Sequence, residues 1–292
     1  MRILLVGKNG QLGHCFQDIM KARPDYELFA FDSNGLDITN RLQVIDRFKE
    51  VAPDIVVNAS AYTAVDKAES EAALAFSVNE QGVKHLVEQA NKLDIPLIHV
   101  STDYVFDGSG ITPYKATDAT NPQGVYGASK LAGEYAITES CKKYIILRTS
   151  WVFSEYGSNF VKTMLRLAKE RDSLSVVADQ YGCPTYAGDL AAAIQLLCGQ
   201  YQLQGSLEWG CYHYCGNLAT SWHGFARSIF SLAQRKGMLD QLPRLSAISS
   251  DEYLTPAKRP AFSVMDTAEL SRLGVTAPNW INSLNDVLDK LS

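Results

Sequence analysis

The sequence predicts an α/β protein built on a doubly wound parallel sheet, with a smaller C-terminal lobe. Two observations carry that expectation. Through the first half of the chain, short runs nearly continuous in Val, Ile and Leu alternate with amphipathic stretches, as expected of strands buried on both faces and joined by crossover helices. After about residue 150 the alternation weakens, and shorter strand candidates are interrupted by Pro, Gly and Ser.

Five strands are expected over residues 2–7, 27–32, 54–58, 96–101 and 144–148. Apolar positions three and four apart predict helices over 11–22, 41–51, 69–93, 124–139, 159–171 and 222–236. Strand candidates over 174–177, 211–214 and 245–248 fall in the second half and are assigned to the lobe. The division is drawn as a first domain over 1–150 and a lobe over 151–292, with some segments of the latter returning to the first domain. There is no internal repeat, low-complexity tract or flexible linker.

Composition is that of a folded globular chain: 292 residues, 46% of them apolar. Lys and Arg number 27 against 32 Asp and Glu, a formal net charge of −5 with no basic block, which argues against a nucleic-acid partner. The first apolar run is too short for an export signal, and none approaches the roughly 18 residues of a membrane span, so a cytoplasmic location without membrane contact is expected. Six cysteines then read as reduced thiols. Strand alternation puts Cys211, His213 and Cys215 on one face, as zinc ligands would be, but without a second ligand cluster a buried strand face is the better reading. No metal site is expected.

The chemistry begins at Gly7, Gly10 and Gly13, which follow the first strand and open the first helix. Such glycines permit a tight turn, and their backbone amides can approach a pyrophosphate seated at the positive end of the helix. The context marks residues 1–150 as a Rossmann-type dinucleotide-binding domain. The G-x-x-G-x-x-G spacing is typical of relatives of the short-chain dehydrogenase/reductases. Asp32 ends the second strand, where an acidic side chain accepts from the adenosine ribose hydroxyls, which favours NAD. Lys8, Ser33 and Asn34 lie nearby and could equally receive a 2′-phosphate, so the choice of cofactor stays open. Asp37 and Ile38, in the next loop, are placed either to meet the adenine or to form a surface turn.

Tyr126 and Lys130, four apart in an expected helix, share one face. Hydride delivered to a ketone leaves an alkoxide that needs a proton. A tyrosine of ordinary pKa about 10 is a better proton relay when a neighbouring cation stabilises its phenolate. Lys130 would supply that field and hold the nicotinamide ribose. Thr102, at the end of the fourth strand, lies where ligands bind parallel sheets and could hydrogen-bond the substrate carbonyl. Thr102, Tyr126 and Lys130 are therefore the expected catalytic residues.

With these residues in place, the chain resembles the dTDP-4-dehydrorhamnose reductases, a family of extended short-chain dehydrogenase/reductases acting on nucleotide sugars. The resemblance covers nearly the whole length. It rests on Gly7 through Gly13, residues 58–69, Ser101 through Phe106, Tyr126 through Lys130, Arg148 through Trp151, Asp179 through Thr185, and Arg259-Pro260. It implies reduction of the C4 ketone of dTDP-4-dehydro-L-rhamnose to dTDP-L-rhamnose, the last step toward that activated sugar for cell-surface polysaccharide. NADPH is the implied hydride donor, with NADH the alternative. The family pattern implies that Gly10, Gln11, Leu12, Asp32, Asp37, Ile38, Ala61, Tyr62 and Thr63 line the cofactor. It further implies that Thr102, Asp103 and Trp151 meet the sugar nucleotide, and that Tyr126 donates the proton. Trp151 as a core aromatic, and Arg259 as either a diphosphate partner or a solvated charge, are the competing readings.

One departure concerns assembly. Some relatives dimerise through a magnesium ion held by acidic side chains, one of them on the first helix where this chain has His14, Cys15 and Phe16. Gly188 stands where a second such carboxylate would align, so a monomer or weak homodimer without that metal is expected. Rival readings are a nucleotide-sugar epimerase or dehydratase of the same fold and a non-catalytic NADP-binding regulatory subunit. Tyr104, standing where a dehydratase needs a second carboxylate after Asp103, and an intact Thr102, Tyr126 and Lys130 weigh against the last two.

Overall fold

The computed structural model describes all residues, Met1–Ser292. Its centre is a sheet of six parallel strands. In chain order they are Arg2–Val6, Glu27–Phe31, Ile55–Asn58, Leu97–Thr102, Tyr144–Thr149 and Gly210–His213. In space they run second, first, third, fourth, fifth, sixth. The order reverses between the first and third strands, and the crevice beyond their carboxyl ends is where doubly wound sheets bind ligands. Register there is explicit: Val6 lies opposite both Phe31 and Asn58.

Burial on both faces explains why these strands read as continuous apolar runs. One face packs Leu12, Phe16 and Met20 of the Gln11–Lys21 helix and Leu190, Ile194 and Leu197 of the Ala187–Gln204 helix against Ile3, Leu5 and Val57. The other packs Val44, Phe48, Leu86 and Ile137 against Leu4, Val6 and Val56. A separate core joins Phe153, Val161, Leu165, Phe225, Ile229, Trp280 and Leu284. The segment placed in the lobe at residues 211–214 is instead the sixth strand of the main sheet, paired with the fifth, and the Ala187–Gln204 helix also packs on the sheet. The pair Ser173–Val177 and Arg244–Ile248 forms its own small parallel sheet. No helix is long and apolar enough to cross a membrane.

The expected helix over 69–93 begins at Ala72 and runs to Leu93 with a π-turn inside it. Helical turns at Val65–Ala68 and Ala72–Phe76 lead into a π-helical turn at Ser77–Gln81, and then into Gly82–Leu93. A π-turn inserts a residue and rotates the succeeding turns about the axis, which brings Asn79 inward, only 1% exposed. Two long helices were not expected at all, Ala187–Gln204 and Trp280–Leu291. The first is buried on several faces between Ala187 and Cys198, which removes the amphipathic signature. The second carries a regular stripe of Trp280, Leu284, Val287 and Leu288 and an Asn279 cap, signals that were available.

Candidate active site

The dinucleotide cradle is built from close backbone approach. Gly7 adopts φ +92°, and a Cβ on it would lie 2.7 Å from Ala59 and Ser60 backbone atoms across the switch point. Gly13 is enclosed by its own turn, where a Cβ would lie 2.2 Å from the Gly7 carbonyl oxygen. Gly10 differs: its nearest neighbour would be 3.5 Å away. Nothing in the protein forbids a side chain there, and the bare surface leaves room for a ligand. Gly10 also starts its helix with no side-chain cap, leaving the N–H groups of Gln11, Leu12 and Gly13 for anionic oxygens. Helices elsewhere, at Arg41, Phe160 and Trp222, are capped by Asn40, Asn159 and Ser221.

A cavity of about 430 Å³ continues from this turn, lined among others by Gly7, Gly10, Asp32, Asp37, Ile38, Ala61 and Tyr62. Asp32 Oδ1 accepts from Gly35 N–H at 3.0 Å and Oδ2 accepts from Asn9 Nδ2 at 2.8 Å, with Lys8 Nζ 4.0 Å away. The Gly35 N–H first, with Lys8 and Asn9 besides, holds this carboxyl below its ordinary range. Tyr62 is fixed through its backbone, its N–H donating to Asn79 Oδ1 at 2.8 Å and its carbonyl accepting from Asn79 Nδ2 at 3.1 Å. These groups fit a dinucleotide: diphosphate on a bare helix start, a ribose beside Asp32, and Lys8 and Asn9 able to meet a 2′-substituent.

Other expected cofactor residues are placed less directly. Leu12 is a core side chain and reaches the cradle by its backbone alone. The Gln11 amide faces residues after 150: Nε2 donates to Val152 O at 3.3 Å, and Oε1 accepts from Ser154 Oγ at 3.0 Å and Asn159 Nδ2 at 2.9 Å. The Asp37 carboxylate caps its own turn, accepting from Thr39 N–H and Oγ1 at 2.9 and 2.7 Å. Thr63 is exposed and lies outside the cavity lining.

At the carboxyl end of the fourth strand, the Thr102 hydroxyl is buried, accepts from Tyr104 N–H at 3.3 Å and donates to Asp103 Oδ1 at 3.1 Å. Tyr126 lies in the first turn of the Val125–Ser140 helix, its ring edge-on to Tyr104 at 5.4 Å. Val125 N–H at that helix start donates to Glu69 Oε1 at 2.9 Å. Asp103 is 2% exposed, and its Oδ2 is buried with no partner. Burial pushes its carboxyl up to about 6. The Ser263 and Thr102 hydroxyls oppose that rise.

Burial pushes the Tyr126 phenol up to about 12; Thr102 opposes the rise and Asp103 adds to it. Lys130 is buried with Nζ donating to Val100 O at 2.7 Å and facing His99 Nε2 at 3.3 Å, and burial lowers its own pKa to about 8.

Trp151 adopts φ +49°, a left-handed backbone rare for an aromatic residue, and its indole stacks on Trp222 at 3.6 Å and 8°. Arg259 pairs with Asp66, Nη2 to Oδ2 at 2.9 Å, tying its loop to the segment after the third strand. His14 stacks on Tyr156 at 4.8 Å, and Gly188 lies against the Tyr186 ring. His213 Nδ1 donates to the Tyr114 carbonyl at 3.0 Å, which makes that nitrogen a poor metal ligand.

Three groups at the site went unrecognised in the sequence. Asn79 links the Tyr62 backbone to Ser129 Oγ, 2.9 Å from Asn79 Nδ2. Glu134, on one face with Lys130, accepts from Arg148 Nη2 at 2.6 Å and from Ser101 Oγ, clamping the Tyr126 helix to two strands. Asn58 and His99 lie beneath Lys130. Buried polar residues inside strands were the signal for the last two groups, since Asn58, His99 and Arg148 interrupt otherwise apolar runs.

A dinucleotide cradle at the switch point, with a threonine at the end of the fourth strand and a tyrosine in the first turn of the helix before the fifth, defines a Rossmann-type oxidoreductase of the short-chain class. The comparisons narrow this. The family model described as RmlD substrate binding domain matches residues 1–292. A dTDP-4-dehydrorhamnose reductase of Aggregatibacter actinomycetemcomitans is 44% identical over 290 residues, 98% of each chain. Among solved structures, a dTDP-4-dehydrorhamnose reductase from Clostridium acetobutylicum superposes with TM-score 0.92 at 37% identity, covering 100% of this chain and 99% of that one. One from Bacillus anthracis, in complex with NADP, gives 0.91 at 37% identity over 99% of each. The chain belongs to the dTDP-4-dehydrorhamnose reductase family.

Proposed function

We propose that this protein reduces the C4 ketone of dTDP-4-dehydro-L-rhamnose to dTDP-L-rhamnose with NADPH, NADH being the alternative donor. The observation that carries the reading is Thr102 at the end of the fourth strand with Tyr126 in the first turn of the Val125–Ser140 helix, its ring against Tyr104 of the turn that follows Thr102. The nicotinamide supplies the hydride when bound. Tyr126 gives its proton to the sugar oxygen, and Thr102 hydrogen-bonds that oxygen as negative charge develops. Asp103 accepts from a sugar hydroxyl, and Trp151 presents an apolar wall to the sugar nucleotide. Lys130 holds the nicotinamide ribose and, once charged, favours the phenolate. The backbone N–H groups of Gln11, Leu12 and Gly13 bind the diphosphate, and Gly7 and Gly10 shape the turn that admits it; Asp32 takes the adenosine ribose, with Asp37, Ile38, Ala61, Tyr62 and Thr63 around the rest.

Residues 151–292 act mainly as the substrate lobe, with Ala187–Gln204 and Gly210–His213 as the returning segments. The protein works as a soluble cytoplasmic enzyme, as a monomer or weak homodimer without a metal bridge; a stable dimer dissociated by a chelator would refute that last point. The function is tested by supplying the keto sugar from an upstream dehydratase and epimerase and monitoring NADPH and NADH oxidation separately. Hydride from deuterated NADPH is expected at C4 of dTDP-L-rhamnose. Cofactor oxidation independent of the sugar, or label elsewhere, would reject the reading.

A further inference from the structure

The buried polar residues Asn58, His99 and Lys130 form a line whose donors and acceptors can be assigned in one way only. The assignment begins at Ser60, whose backbone N–H and hydroxyl both reach Asn58 Oδ1, at 3.1 and 2.6 Å. A backbone N–H can only donate, so the Asn58 oxygen faces Ser60 and its amide nitrogen faces His99. That nitrogen lies 3.0 Å from His99 Nδ1 and also can only donate. His99 Nδ1 is therefore the acceptor. The imidazole is fully buried and strongly disfavours a charge, so it is neutral and carries its single proton on Nε2. This proton points at Lys130 Nζ, 3.3 Å away. An ammonium there would meet N–H with N–H, whereas an amine accepts from His99 and still donates to Val100 O at 2.7 Å.

We propose that Asn58 and His99 are positioning residues that bias Lys130 toward the neutral amine in the free protein, and that binding of the dinucleotide shifts it toward the ammonium. The proposal rests on the dinucleotide-binding part of the proposed function. The surrounding charges permit it. Glu134, on the same helix, favours the ammonium but is already satisfied by Arg148 of the fifth strand and Ser101 of the fourth. Asp103 and Tyr104, in the turn packed on that helix, act on Tyr126 and on one another. In the packed 65–81 segment, Asp66 pairs with Arg259, Glu71 accepts from Tyr62 and Glu80 pairs with Lys84. Conversion of amine to ammonium takes one proton from solvent and transfers no electrons.

The test reads the tautomer and the proton. With 15N-labelled histidine in the full-length protein, and a His99→Gln variant to assign the signal, Nδ1 is expected to be unprotonated and Nε2 protonated. Asn58→Asp puts a carboxylate against Nδ1 and is expected to reverse the two. At pH 8 in weak buffer, NADP+ binding to the parent is expected to take up a substantial fraction of a proton per site, and binding to Asn58→Asp much less. Protonated Nδ1 in the parent, or equal uptake by both proteins, overturns the proposal. The tautomer needs no ligand, so it decides the arrangement even if Asn58→Asp does not fold. Failure to bind NADP+ or to reduce the sugar would instead count against the proposed function.

Discussion

At Gly10 and Gly13 the same substitution has opposite expected consequences. Gly13→Ala forces a methyl into the backbone of its own turn and should cost about 1–3 kcal/mol of stability, read by denaturant unfolding. Gly10→Ala meets only ordinary contact within the protein and should fold nearly as well. It should weaken NADPH binding about tenfold or more, which is 1.4 kcal/mol on the affinity scale, measured by fluorescence titration. Asp103 sets function against stability in another way. Its carboxyl is pushed up from 3.8 to about 6, so between those values the folded state binds more protons than the unfolded chain. Stability therefore falls as pH rises through that window, by roughly 3 kcal/mol once complete. Asp103→Asn should raise the melting temperature by a few degrees at pH 7, with little gain at pH 4, and should lower kcat/KM for the sugar. An equal gain at both pH values would contradict the assignment.

Elements were legible where one physical signal dominated. The five strand runs of the first half lie within one residue of their observed ends, because burial on both faces leaves only apolar β-formers there. The 69–93 stretch was legible as a helix but its π-turn was not, because helical periodicity carries through such a turn; only the structure reveals that Asn79 is turned in to bind Tyr62. Residues 211–214 were readable as a strand, yet their partner, the fifth strand, is a tertiary fact. At the site, the glycines, Thr102 and Tyr126 were legible from spacing, whereas the Asn58–His99–Lys130 line depends on which atoms face one another. The π-turn gives a test at this scale. Asn79→Ala removes the partners of the Tyr62 backbone and of Ser129, and should cost about 1–3 kcal/mol while raising KM for NADPH. Loss of stability with an unchanged KM would show that the turn does not serve the cofactor.

Across the whole molecule, the two ends of the reaction are held by one frame. Gln11, in the first turn after the glycines, bonds Val152, Ser154 and Asn159, so the cradle and the residues after 150 share a side chain. The Glu134–Arg148–Ser101 clamp fixes the Tyr126 helix to the fourth and fifth strands, and Arg259 ties a late loop to Asp66. In the proposed reaction Tyr126 supplies the proton. The most direct measurement is kcat for Tyr126→Phe with dTDP-4-dehydro-L-rhamnose, alongside NADPH affinity and melting temperature. A fall in kcat of about 10²–10⁴ with binding and folding intact is the expected result. Turnover equal to the parent would contradict it.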